Sequence, residues 1–176
     1  MTSAQLLVAA KDAKDAGYFV NTPGLDLIKM VGPGPHRGYI VANGVAYVAS
    51  GNALYSVSVA NNVYTATNLG ALVTASGPVG FISNPTQVLA VDGVQGYLWT
   101  PGSSTFAGNV FNGLGITPSV CAYQDGFGIV NNVGTNQFYQ SALNDLSSWP
   151  GLNFSSADSD STPIVGMTDN ARELWI

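Results

Sequence analysis

The sequence predicts an all-β protein, and three observations carry that expectation. From Arg37 onward, short runs rich in Val, Ile, Tyr and Ala are broken by Gly, Asn and Asp, the pattern of hairpin-linked strands. Tyr39, Phe81, Tyr123 and Met167 recur 42 to 44 residues apart, each in an apolar run that leads to a turn. That period matches a four-stranded propeller blade, so the chain reads as β-propeller-like repeats. Glycine, at 21 of 176 residues, supplies the tight turns such a meander needs.

Residues 1–36 read as an N-terminal helix and an extended arm. Ser3 is a candidate cap, Ala and Leu dominate up to Ala16, and Gly17 is a C-terminal stop. Asn21-Thr22-Pro23-Gly24 is a turn by its chemistry, and Val31-Gly32-Pro33-Gly34-Pro35 excludes regular structure. Blades are expected near 37–75, 76–115 and 116–160, with the start of another at 163–176.

In the first, Asn43-Gly44 joins two β-prone runs, a strong hairpin signal, and Ser50-Gly51-Asn52 and Asn61-Asn62 make further turns. The second opens at Pro78-Val79-Gly80-Phe81-Ile82 and turns at Asp92-Gly93, and the third opens at Pro118 and turns at Asp125-Gly126. The fourth is expected to open with a strand over Pro163–Met167 and to turn at Asp169-Asn170. Stopping at Leu174-Trp175-Ile176, inside a strand, it reads as a partial or truncated propeller belonging to something longer.

Charged residues make up only 9% of the chain, far below the usual quarter, so much of the surface is expected to face other protein chains. Between Gly38 and Ala171 there is no Lys or Arg, only six Asp. Phosphate contacts rest on Lys and Arg, so specific nucleic-acid binding is not expected. No apolar run is long enough to span a membrane, and the N-terminus lacks the basic residues of a signal peptide.

Few catalytic or metal-binding patterns survive the residue inventory. His36 is the only histidine, Cys121 the only cysteine and Glu173 the only glutamate. Histidine-pair and cysteine zinc sites are therefore absent, as are the nucleophile-elbow and phosphate-loop motifs. Asp158-Ser159-Asp160 has the alternate carboxylates that open a calcium loop, but Pro163 stands where that loop needs glycine. No catalytic residue, metal, cofactor or small-molecule substrate is expected.

Trp99 and Trp149 stand at strand or loop ends, where an indole either packs on a neighbouring blade or offers a flat face to a partner or a sugar. Trp99, Trp149, Phe154, Asp158 and Asp160 are the candidate partner contacts.

The run Asp125-Gly126-Phe127-Gly128-Ile129-Val130, then Asn136-Gln137-Phe138-Tyr139-Gln140-Ser141-Ala142-Leu143-Asn144-Asp145 and Ser148-Trp149, resembles the packaged DNA stabilisation proteins of short-tailed bacteriophages, tail accessory or tail hub components. Tyr18-Phe19-Val20-Asn21, Pro23-Gly24-Leu25 and Arg37-Gly38 resemble that family's opening. The resemblance implies a virion location in the tail and portal region after synthesis in the host cytoplasm. It implies a structural subunit in a homo-oligomeric ring that closes the portal channel and retains the genome. Its partners would be a portal or adaptor protein on one side and a tail needle or fibre protein on the other. Family members are generally much longer. The competing reading is a carbohydrate-binding propeller, lectin or adhesin, using Trp99 or Trp149 as sugar platforms; a glycosidase or sialidase is disfavoured by the scarcity of Glu and Arg.

Overall fold

A computed structural model of the chain describes residues 27–102, 106–158, 162–170 and 173–176. The helix expected over Ser3–Ala16 lies outside the described residues. Within them, every regular element is a β-strand.

Strands β1 (His36–Ala42), β2 (Val45–Ser50), β3 (Ala53–Ala60) and β4 (Val63–Ala71) form sheet 1. Sheet 2 contains β5 (Gly80–Ser83), β6 (Val88–Val91), β7 (Gly96–Trp99) and β8 (Phe106–Gly108), and sheet 3 contains β9 (Cys121–Gln124), β10 (Phe127–Asn131), β11 (Gln137–Gln140) and β12 (Phe154–Ser156). A two-stranded hairpin, β13 (Thr168–Asn170) and β14 (Glu173–Trp175), follows. Each sheet is an antiparallel meander in chain order. β1 lies beside β5, β5 beside β9 and β9 beside β13, so the sheets pack face to face with their first strands together.

Local chemistry explains the hairpins. Asn43 and Gly44 take φ of 51° and 75°, the type I′ combination whose twist matches the strands it joins, and Asn61-Asn62 does the same at 50° and 62°. Asn43 also donates from Nδ2 to the Pro85 carbonyl at 2.9 Å, tying this turn to the next sheet.

The core lies between the sheets. Sheet 1 buries Ala42, Tyr47, Ala49 and Leu54 against Val88, Ala90, Tyr97 and Trp99 of sheet 2. From the opposite face of sheet 2, Ile82, Leu89, Val91 and Leu98 meet Val130, with Phe111, Ile116, Leu146 and Trp149 supplied by loops. Because sheet 2 is covered on both faces, β6 is buried at all four positions, which is why Val88-Leu89-Ala90-Val91 is an unbroken apolar run. Each buried Val or Leu in that run contributes roughly 1.5–3 kcal/mol of transfer free energy.

The fourth repeat departs from expectation. Pro163–Met167 is not a strand; the strand starts at Thr168, and Asp169 and Asn170 lie within it rather than in a turn. The reason is where the backbone groups go. The Ile164 N–H donates to the Thr135 carbonyl, and the Ile164 carbonyl accepts from Asn131 Nδ2, so this segment is tied to sheet 3 instead of pairing in a hairpin. Similarly, β9 begins only at Cys121 because the Ser119 and Val120 N–H groups donate to Asn131 Oδ1.

The sheets approach closely at Gly38, where a Cβ would overlap the Val79 carbonyl oxygen. Here the Val79 N–H donates to the Arg37 carbonyl at 3.0 Å, joining β1 to the segment entering sheet 2. Gly38→Ala is expected to cost roughly 1–3 kcal/mol by forcing this junction apart. Gly108→Ala, whose Cβ meets nothing closer than 3.7 Å, is expected to change stability by less than about 0.5 kcal/mol. Urea unfolding of both variants measures the difference.

Candidate functional site

The five candidate contact residues fall in different environments. Trp99 ends β7 at 9% exposure and packs with Ala42, Tyr47 and Val88 between sheets 1 and 2. Trp149 is 6% exposed; its ring sits edge-on against Phe111 at 4.8 Å, and its Nε1–H donates to the Leu146 carbonyl at 2.8 Å. Neither indole has a free face. This corrects the expectation of contact surfaces, and it removes the platforms on which a lectin reading relied. The loop from Ser141 to Asn153 folds Trp149 inward because Leu146 and Trp149 together fill the space left by Gly128, where a Cβ would lie 2.5 Å from Leu146 Cδ2.

Phe154, on the outermost strand of sheet 3, is 48% exposed and leans on Tyr139 with ring centroids 5.6 Å apart. It borders a hollow of about 210 Å³ with Phe138, Gln140, Asn153 and Ser155. Asp158 is exposed on the segment that follows, and Asp160 lies outside the described residues. Trp99 and Trp149 therefore belong to the packing, while Phe154 and Asp158 share one outer edge.

The structure also singles out residues that the sequence left unassigned. Arg37 is buried, and its guanidinium donates to the carbonyls of Gly77 (2.7 Å), Gly51 (2.8 Å), Thr74 (2.7 Å) and Ser76 (2.8 Å) and to the Thr74 hydroxyl (2.6 Å). The Thr74 hydroxyl donates onward to Asp92 Oδ2 at 2.9 Å. That carboxylate also accepts from the Tyr97 hydroxyl at 2.8 Å, and the N–H groups of Val94 and Gln95 donate to Oδ1. Tyr97 in turn accepts from the Val73 N–H at 2.6 Å.

One cation and one anion thus grip the segment between sheets 1 and 2 from both sides, joined through a single hydroxyl. Burial pushes the Asp92 carboxyl up, but hydrogen bonds from Gln95, Tyr97, Thr74 and Val94 outweigh it and hold the group below its ordinary 3.8. Burial, reinforced by the neighbouring Asp92, pushes Tyr97 up to about 12.

Asp92 has counterparts. Ser50 ends β2 and donates to the Gly34 carbonyl, and Asn131 ends β10 and binds Ser119, Val120 and Ile164. All three are buried polar residues at the same place in successive sheets, 42 and 39 residues apart, and each staples a connecting segment. That spacing was the available signal; Asp92-Gly93 reads first as a turn.

Cys121, half-buried, has its thiol pushed up to about 12 by burial, which keeps it protonated and unreactive near neutral pH. Among the described residues, no group of three or more His, Cys, Asp or Glu could hold a metal ion, and no helix is long and apolar enough to cross a membrane.

The first strands line a groove of about 350 Å³, bordered by Ile40, Phe81–Ser83, Cys121–Tyr123 and Met167–Asp169. Among the described residues its one charged lining residue is Asp169, an acid.

A protein-family model described as Bacteriophage P22 Gp10, beta-propeller, matches residues 5–176. The chain belongs to that family. Comparison with curated proteins finds no match. The family is one of packaged-DNA stabilisation, and its members are structural proteins of the phage virion.

Two outcomes follow. Trp149→Ala is expected to destabilise by about 3–5 kcal/mol and Phe154→Ala by less than about 1 kcal/mol, as denaturant midpoints would show. Asp92→Asn leaves the Tyr97 hydroxyl and Thr74 donors without their acceptor and is expected to cost roughly 2 kcal/mol at neutral pH. Because the folded carboxyl titrates below 3.8, the stabilisation from Asp92 is present above that pH and lost as pH falls through the lower, folded value. The gap between wild type and Asp92→Asn should therefore close in that acid range, measured by thermal unfolding across pH.

Proposed function

We propose that the chain is a head-to-tail or tail hub component that forms a homo-oligomeric ring, closes the portal channel and retains the packaged genome. Membership of the stabilisation family along residues 5–176 carries this reading. Two features support it. Among the described residues the groove along the first strands bears no cation, and a lining without Lys or Arg gives little hold on DNA that must later pass. Buried and part-buried hydrogen bonds tie the segments at Gly34, Thr74, Val120 and Ile164 to the sheets, as suits a part that bears load by its shape.

In this reading the protein acts by assembly and not by catalysis. It is made in the host cytoplasm and ends in the tail and portal region of the virion. A portal or adaptor protein stands on one side, and a tail needle or fibre protein on the other. Phe154 and Asp158, on the outer edge of sheet 3, together with Asp160, are the proposed partner contacts.

Native mass spectrometry of the chain alone and with purified portal or adaptor protein tests this. The expected result is a discrete ring that co-assembles with the portal side. A strict monomer that ignores the portal protein would remove the proposed role.

A further inference from the structure

The sequence contains two Asn-Gly pairs, Asn43-Gly44 and Asn112-Gly113, and both are exposed. Asparagine before glycine can react with its own backbone, because the glycine has no side chain to shield the amide nitrogen that attacks. The attack needs that nitrogen to swing onto the side-chain carbon Cγ. Backbone conformation therefore decides whether it happens.

The fold treats the two pairs differently. Asn43 and Gly44 are the whole of a two-residue type I′ turn, with Ala42 and Val45 paired directly behind them. The left-handed backbone of Asn43 points the Gly44 nitrogen away from the side chain. The amide is held as well, its Nδ2 donating to the Pro85 carbonyl at 2.9 Å. Reaction there would require the hairpin turn to open.

Asn112-Gly113 instead belongs to the irregular segment between β8 and β9. Asn112 is not left-handed, and no strand pairing flanks it; the local turn is closed by the Leu114 N–H, which donates to the Phe111 carbonyl at 3.0 Å. A Cβ at Gly113 would meet nothing within 4 Å, so the attacking residue stands in open space. The position matters because of its neighbours. Phe111 and Ile116 are buried in the core between sheets 2 and 3. The Phe111 ring lies edge-on to Trp149 and against Gly96, whose missing Cβ gives it room.

We infer that Asn112 is a site of spontaneous deamidation that ages the joint between sheets 2 and 3, while the fold protects Asn43. The Gly113 N–H loses its proton to hydroxide, and the nitrogen bonds to Asn112 Cγ. The Cγ–Nδ2 bond breaks, and the nitrogen leaves as ammonia, taking a proton from water and closing a cyclic imide. Water then opens the ring at either carbonyl to give aspartate or isoaspartate. The sum is an amide and water converted to a carboxylate and ammonium. Isoaspartate carries the main chain through the former side chain. It adds a methylene and a negative charge between Phe111 and Leu114, and the turn that seats Phe111 cannot keep its geometry.

The test is an ageing experiment on the intact chain, held at mildly alkaline pH in native buffer and in urea. Peptic digestion in acid and mass spectrometry that separates aspartate from isoaspartate then map the products. In native buffer the product at Asn112 should outrun that at Asn43 by about tenfold or more, the factor that a turn-opening barrier of about 1.4 kcal/mol supplies. In urea, where the turns are gone, the two should react alike. Chains enriched in isoaspartate by anion exchange should unfold at lower urea than fresh protein, while Asn112→Gln aged alongside should keep its midpoint.

Equal rates at both positions in native buffer, or product at Asn112 only in urea, would overturn the assignment. A midpoint unchanged by product at Asn112, or an equal loss in Asn112→Gln, would overturn the link to the core.

Discussion

The fold depends on how a buried charge is neutralised at the junction of sheets 1 and 2. Asp92 is almost entirely out of water, and in such a place a carboxylate is costly unless every lone pair finds a donor. Backbone N–H groups, the Tyr97 hydroxyl and Thr74 provide those donors, and Arg37 provides the countercharge one hydroxyl away. A direct ion pair would link two side chains; the arrangement through Thr74 links both to the connecting segment itself. Sheet 1, the connection and sheet 2 therefore become one unit. No buried side-chain polar atom is left without a partner among the described residues, which is the condition under which such a network rigidifies a structure.

The remaining junctions use a weaker version of the same device. Ser50 makes a single bond, and Asn131 uses both ends of its amide, accepting from the incoming segment and donating to the outgoing one. An amide suits a place where both a donor and an acceptor are needed and no countercharge is at hand. Between the sheets, glycines at 38, 96 and 128 let neighbouring atoms come closer than a Cβ would permit. Close approach and polar stapling together fix the spacing and orientation of the sheets, while the apolar clusters supply the larger share of the free energy.

Much of the β-structure was legible in the sequence because it is local. Asn43-Gly44, Asn61-Asn62 and Asp125-Gly126 announce their turns through residue chemistry that tolerates positive φ. The resemblance, most specific from about Asp125 to Trp175, likewise pointed to the family that residues 5–176 match. What stayed hidden depends on contacts remote in sequence. Arg37 lies 40 residues from Gly77, and nothing next to it marks the carbonyls it collects. Trp99 and Trp149 end short runs, as exposed platforms also do, and only the packing of sheet 1 and of Leu146 decides their burial. Pro163–Met167 has the composition of a strand but spends its hydrogen bonds on sheet 3.

Each sheet runs β-strand after β-strand in chain order, so within a sheet every strand pairs with its sequence neighbour. Such pairing closes only short loops, and it needs nothing that the ribosome has not yet released. Sheet 1 therefore needs no strand of sheet 2 to complete its own pairing, whereas the Arg37 guanidinium gains its Thr74, Ser76 and Gly77 acceptors only once the connection, up to 40 residues on, is present. Once Asp92 arrives, the connection is locked from its far side and the completed sheets can no longer separate independently. A chain built this way would be able to fold sheet by sheet as it emerges, each buried polar residue acting as the pawl of a ratchet.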